Sequence, residues 1–121
     1  MASSESEKFA AAVARVAHEY QADEITVMDL RGVSPVTDFF VICSGTSDRL
    51  RQTICDMIKG YGRQVAQPVF RVSGHETTNW ILLDFIDVVV HVFAPEFREY
   101  YDLELLWGDA PRIEWQQSAS A

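Results

Sequence analysis

The sequence predicts an α/β (α+β) fold: a single domain in which a mixed five-stranded sheet is packed with about three helices. Three observations lead there. A chain of 121 residues has room for one domain and little else. Its apolar spacing switches between helical and strand periods in the order α-β-β-α-β-β-β-α. One run, Phe39 to Cys43, is apolar throughout, the mark of a strand covered on both faces. The apolar share of 48% and charged share of 23% are ordinary for a globular chain.

The elements follow in order. Ser4-x-x-Glu7 has capping-box spacing, and Phe9, Val13, Val16 and Tyr20 repeat along one face, so helix one runs from about Ser6 to Tyr20. Residues 24–30 read as a strand that Gly32 and Pro35 break. After the Phe39–Cys43 strand, Ser44-Gly-Thr-Ser47 supplies a loop and an N-cap. Helix two carries Leu50, Ile54, Met57, Ile58, Tyr61 and Val65 and is expected to end around Gly60 and Gly62. Val69–Val72 is a short strand. Trp80–Leu83 and Val88–Phe93 form a hairpin around Asp84–Asp87. Pro95 suits the first turn of helix three, with Glu96 near its positive end, and the helix should reach Trp107 and stop at Gly108. A strand–helix–strand crossover plus hairpins makes the sheet mixed. The domain is expected over residues 1–108, and the aperiodic tail, 109–121, is expected to be loosely ordered.

Charge and composition exclude several functions. Eighteen acids against ten bases give a net charge of −8 and a pI near 4.7, which disfavours free nucleic acid and anionic membranes and favours a basic protein partner. Arg49, Arg51, Lys59, Arg63 and Arg71 form a basic stretch that a solvated helix face explains. No apolar run is long enough to span a bilayer and no secretory or transit signal is visible, so the expected location is cytoplasmic. Cys43 and Cys55 lack metal or disulfide-framework spacing and read as reduced, inert thiols. His18, His75 and His91 form no metal motif.

Enzyme chemistry has little to stand on. The Ser44–Ser47 loop precedes a helix N-terminus, where backbone N–H groups can meet a phosphate, but the P-loop lysine is missing. Asp84 and Asp87 flank a turn, and turn formation accounts for them without a metal. His91 shares a strand face with Val89 and Phe93, where a hydrogen-bonded structural histidine is expected. Helix three is the unusual element. Phe97, Tyr100, Tyr101, Leu103, Leu105 and Trp107 spread over an arc of about 200°, wider than one core-facing stripe, so the surplus can meet a partner.

Three segments, Asp38–Ser47, Trp80–Phe93 and Arg98–Trp107, resemble the ribosome silencing factor family, also called Iojap-like, in the same order and at similar spacing over residues 8–108. The resemblance implies a nucleotidyltransferase-like topology without catalytic activity or cofactor. It further implies a translational repressor, active under nutrient limitation, that binds the large ribosomal subunit through ribosomal protein fourteen and blocks joining of the small subunit. A weak homodimer is also implied. Carried over residue by residue, partner binding falls on Trp80, His91, Arg98, Tyr101, Glu104 and Trp107, with Asp84 and Asp87 in the hairpin and Leu103 in the helix signature. Trp80 should stand near the sheet's end, partly exposed. Two departures stand out. Ser73-Gly74 replaces the family's usual Glu-Gly, and Ile86 stands where a glycine usually turns the hairpin. A β-branched residue resists positive φ, so a turn of different shape is expected. The alternatives are a nucleotidyltransferase-like enzyme and a purely structural homodimer module.

Overall fold

The computed structural model describes residues 2–74, 79–101 and 110–116. In chain order these form α1 (Ala2–Glu19), β1 (Asp23–Asp29), β2 (Phe39–Ser44), α2 (Asp48–Gln64), β3 (Arg71–Ser73), β4 (Trp80–Asp84), β5 (Val88–Phe93) and α3 (Pro95–Tyr101). The strands make one mixed sheet in the order β1-β2-β5-β4-β3. β2 and β5 run parallel, from Phe39 opposite Val88 to Ser44 opposite Phe93, and the other pairs are antiparallel. The predicted fold class and element order both hold. Beyond Tyr101, the predicted course of helix three to Trp107 and Gly108 lies outside the described residues.

Strand alternation gives the sheet two different faces. Phe39, Val41, Cys43, Ile81, Leu83, Val88, Val90 and Val92 point to one side and pack against α1 and α2. α1 buries Phe9, Ala10, Val13, Ala14 and Ala17 there, while Val16 is half-buried and Tyr20 exposed. The apolar stripe expected from Phe9, Val13, Val16 and Tyr20 is thus displaced toward the alanines, whose small side chains let the helix approach closely. The Phe9 ring meets Phe85 edge-on at 5.1 Å and stacks on Tyr61 at 5.9 Å. Burial pushes the thiols of Cys43 and Cys55 up to about 12.

Ser47 caps α2 as predicted, its Oγ accepting the Leu50 N–H at 3.1 Å. The predicted stop at Gly60 and Gly62 is wrong: the helix continues to Gln64. Gly62 serves a close approach, since a Cβ there would sit 2.5 Å from the Gln67 carbonyl oxygen and 2.9 Å from the Phe85 ring. The basic stretch also divides. Arg49 and Arg63 are solvated, but Arg51 is buried, donating to the Gly45 carbonyl at 2.6 Å and pairing with Asp48. A Cβ on Gly45 would lie 2.8 Å from Arg51 Cγ, so the packing of Arg51 explains the glycine of the Ser44–Ser47 loop.

Three further expectations change. The strand predicted at Val69–Val72 is Arg71–Ser73, because Phe70 donates its N–H to the Asp84 carbonyl before regular pairing begins. The hairpin turn does not avoid positive φ at Ile86: it has φ 78, and the Asp87 N–H donates back to the Phe85 carbonyl at 3.0 Å, closing a γ-turn around Ile86. Asp84 Oδ1 accepts the Ile86 N–H at 2.8 Å, which helps hold that conformation. Finally, where an aperiodic sequence suggests a loose tail, residues 110–116 run along β1. The Pro111 carbonyl accepts the Asp29 N–H at 2.8 Å, the Ile113 N–H donates to Val27 at 2.9 Å, and Ile113 and Trp115 pack on the core. Main-chain pairing at a sheet edge needs no side-chain period.

Candidate docking face

The second sheet face carries Phe40, Ile42 and Ser44 of β2, Trp80, Leu82 and Asp84 of β4, and Val89, His91 and Phe93 of β5. The described part of α3 follows directly from β5 and packs over the end nearest Ser44 and Phe93. There Met28, Leu30, Ile42, Phe93 and Ala110 form a second buried cluster with Phe97 and Trp80 against it. Arg98 is 8% exposed and donates to Ser44 Oγ at 3.2 Å and Thr26 Oγ1 at 3.4 Å. Its guanidinium ties α3 to β1 and β2. Of the residues expected to meet a partner, Arg98 is therefore turned inward.

The other end of this face is an open groove of about 410 Å³. Phe40, Leu82 and Val89 form its apolar floor, and Val36, 82% exposed, and Ile86, 56% exposed, stand at its rim. Arg71 and Asp84 pair across β3 and β4 at 3.3 Å, so the rim's charges are matched.

Trp80 and His91 link the two halves. Trp80 opens β4, is half-buried, and stacks on Phe93 at a centroid distance of 5.1 Å. Its indole Nε1–H donates to His91 Nδ1 at 3.1 Å. An indole nitrogen only donates, so His91 Nδ1 must be the acceptor and the neutral ring carries its proton on Nε2. His91 is 4% exposed, with Phe40 edge-on at 4.5 Å, and burial lowers its pKa from 6.5 to about 3. The expected hydrogen-bonded histidine is found, but half of its bonding capacity is unused. His91 Nε2 and Thr37 Oγ1 are the buried side-chain polar atoms without a hydrogen-bond partner among the described residues, and both residues line the groove.

Tyr101 ends the described part of α3; Leu103, Glu104 and Trp107 lie outside the described residues. Asp84 and Asp87 serve different partners: Asp84 pairs with Arg71, and Asp87 accepts a 3.5 Å bond from Ser6 Oγ. Among the described residues no group of His, Cys, Asp and Glu has metal-binding geometry, and no helix is long and apolar enough to cross a membrane. Sequence reasoning missed Thr37, Phe40, Leu82 and Val89 as site residues. Alternation along β4 and β5 was enough to place Leu82 and Val89 beside Trp80 and His91, whereas Thr37 lies in a loop with no period to read.

A larger depression of about 680 Å³ lies between α1 and α2, but Glu19, Asp56, Arg63 and Gln64 around it are already solvated. It lacks the buried unpaired groups that distinguish the sheet groove.

Comparison with known proteins supplies the family. Residues 3–121 match the family model described as ribosomal silencing factor during starvation. The chain is 44% identical over 91 residues to ribosomal silencing factor RsfS of Bacillus subtilis, spanning 75% of this chain and 77% of that one. To RsfS of Halalkalibacterium halodurans it is 40% identical over 94 residues, 78% and 80% of the two chains. A crystal structure of a Chromobacterium violaceum protein superposes with a TM-score of 0.79 at 28% identity, covering 87% of this chain and 85% of that one. The fold, the motif order and a family match over nearly the whole length agree: this chain belongs to the ribosomal silencing factor family.

Proposed function

We propose that this protein represses translation without enzymatic chemistry, by binding the large ribosomal subunit through ribosomal protein fourteen and blocking association with the small subunit when nutrients are short. The observation that carries the reading is the family match over residues 3–121. The net charge of −8 suits a basic ribosomal protein and a cytoplasmic setting in which free nucleic acid is repelled. The proposed contact residues are Trp80 and, from the family signature, Tyr101, Glu104 and Trp107, with His91 bonded to Trp80 and Arg98 tying α3 to β1 and β2. A weak homodimer uses part of the same surface, so dilution through the dimer range leaves ribosome affinity unchanged or raises it.

A subunit-joining assay tests the reading directly. Purified small and large subunits are mixed with rising amounts of protein, and the joined fraction is read by sedimentation. A dose-dependent fall in joined ribosomes is expected; full joining at saturating protein would overturn the proposal. Within it, Trp80→Ala should weaken large-subunit binding by about 30- to 1,000-fold, or roughly 2–4 kcal/mol. Its folding stability should fall by less than the ~3–5 kcal/mol of an emptied core site, because the ring is half-buried.

A further inference from the structure

His91 is too enclosed to meet a partner itself. It stands on the central strand, β5, between Ile42 of β2 and Leu82 of β4, and is 4% exposed. The Phe40 ring lies edge-on to it at 4.5 Å, and the Phe93 ring is nearly parallel to it at 6.2 Å. Its Nδ1 accepts the Trp80 indole N–H at 3.1 Å. Burial lowers its pKa to about 3, so near neutral pH the ring stays uncharged and this acceptor stays available. A group so placed acts on a partner only through a neighbour that reaches the surface. Trp80, half-buried, is the neighbour it bonds.

Two contacts set the Trp80 ring, and they do different things. The stack on Phe93, with centroids 5.1 Å apart and planes 27° from parallel, fixes the plane of the indole. A stack alone does not choose between the two orientations related by a half-turn about χ2, since that torsion is broad and roughly two-fold. The indole is asymmetric, and a half-turn would carry its N–H away from His91. The hydrogen bond therefore selects which edge of the ring faces His91. It also occupies the one donor that the indole has.

We propose that His91 is a positioning residue for docking: it holds the Trp80 indole in a single orientation, so that the partner meets ring carbons and not the N–H. This role rests on the reading that Trp80 anchors the chain on the large subunit. It replaces the direct contact that resemblance implied for His91 with an indirect one. An anchor ordered before binding loses less rotamer freedom on docking, which raises affinity without adding a contact.

The deciding variants are His91→Leu, which removes the acceptor, and His91→Asn, whose side-chain oxygen can take the place of Nδ1. Because His91 Nε2 is buried without a hydrogen-bond partner among the described residues, an apolar side chain there should leave the melting temperature within about 3 °C of the parent. Large-subunit binding, read by sedimentation, should weaken about five- to twentyfold in His91→Leu and return to within about threefold of the parent in His91→Asn. In a Trp80→Phe background, His91→Leu should change affinity by less than about twofold, since the bond it would break is already gone. A His91→Leu protein that binds like the parent, or one that loses as much in the Trp80→Phe background, would overturn the positioning role. A second arm needs no subunits. The proton–nitrogen correlation spectrum holds one indole N–H resonance for each of the three tryptophans, and Trp80→Phe assigns the relevant one by its loss. Its exchange with solvent should be slow in the parent and in His91→Asn, and at least about tenfold faster in His91→Leu. Fast exchange in the parent would overturn the role even if no His91 variant folded. A parent that fails to bind large subunits overturns the reading under "Proposed function" and this role with it. Failure of the exchange or double-variant arm alone overturns the role and leaves that reading standing.

Discussion

The two faces of the sheet are built from alternate residues of the same strands, yet they obey different rules. Toward α1 and α2, Ile81, Leu83, Val88, Val90 and Val92 are wholly apolar and fully covered. On the opposite face, Trp80, Leu82, Val89 and His91 mix aromatic, aliphatic and polar groups, and the described part of α3 packs over one end. The first face makes the fold. The second carries an unfinished hydrogen-bond set and an open apolar floor, features that a stable core does not keep without use. Under the proposed docking, neighbours one residue apart in sequence divide stability from recognition.

Adjacent substitutions on β4 give the sharpest way to break this division. Ile81→Ala empties a fully buried site on the helix side and should cost about 2–5 kcal/mol of folding stability, with subunit binding intact for the molecules that remain folded. Leu82→Ala, on the half-buried groove side, should cost about 1 kcal/mol of stability and yet weaken subunit binding. Urea unfolding paired with sedimentation measures both. Equal stability losses at 81 and 82, with equal binding, would show the two faces to be one continuous core.

The next effect concerns protons. His91 titrates near 6.5 in an unfolded chain but at about 3 in the folded one, where burial disfavours its charged form. Above pH 6.5 both states are neutral at this site and stability is unaffected. As the pH falls below 6.5, the unfolded chain takes up a proton that the folded chain refuses, so stability declines by about 1.4 kcal/mol per pH unit until the folded pKa is reached. Carboxylate interactions act lower. Asp29, held below the usual carboxyl range chiefly by its hydrogen bond from Arg31, loses its contribution only as the pH drops below about 4. The window from pH 6.5 to 4.5 therefore isolates His91. Thermal melts across it should show a steep decline in the parent and a much flatter one in His91→Gln. Parallel profiles would mean that His91 is protonated in the folded protein, contrary to its acceptor role toward Trp80.

The helix-side face was also the legible one. Ile54 and Ile58 repeat at helical spacing, and the apolar run Phe39–Cys43 marks a covered strand, so their burial follows from the sequence pattern. The candidate face was legible in part. Resemblance pointed to Trp80, and alternation placed His91 with Val89 and Phe93, but neither revealed that Trp80 bonds His91 and thereby sets its tautomer. Arg51 read as a solvated charge and Arg98 as a partner-binding residue, because a buried guanidinium depends on carbonyls and hydroxyls that only the fold assembles. Gly62 read as a helix stop because glycine has the same letter whether it frees a turn or admits a neighbour. The segment 110–116 was illegible for a third reason: its attachment to β1 is made by main-chain groups common to every sequence.

The smallest effect bears on why the groove's lip has its present shape. Ile86 holds φ 78 at the centre of the turn, a conformation that glycine suits best, and a left-handed conformation costs an L-residue about 1–2 kcal/mol. The Asp84 carboxylate bonding the Ile86 N–H offsets part of that cost without abolishing it. Ile86→Gly relieves the backbone but also frees the unfolded chain, which returns roughly 0.4–1 kcal/mol of the gain. The net should be a stabilisation of about 0.5–1 kcal/mol, seen as a melting temperature higher by roughly 2–4 °C. The same change removes an apolar side chain that is 56% exposed at the groove, so subunit affinity should fall modestly, by about two- to fivefold. Stability and binding would then move in opposite directions at one residue, as strain kept at a functional site requires. If Ile86→Gly instead lowers stability, the side chain is packed more tightly than its exposure indicates, and the lip belongs to the core and not to the docking face.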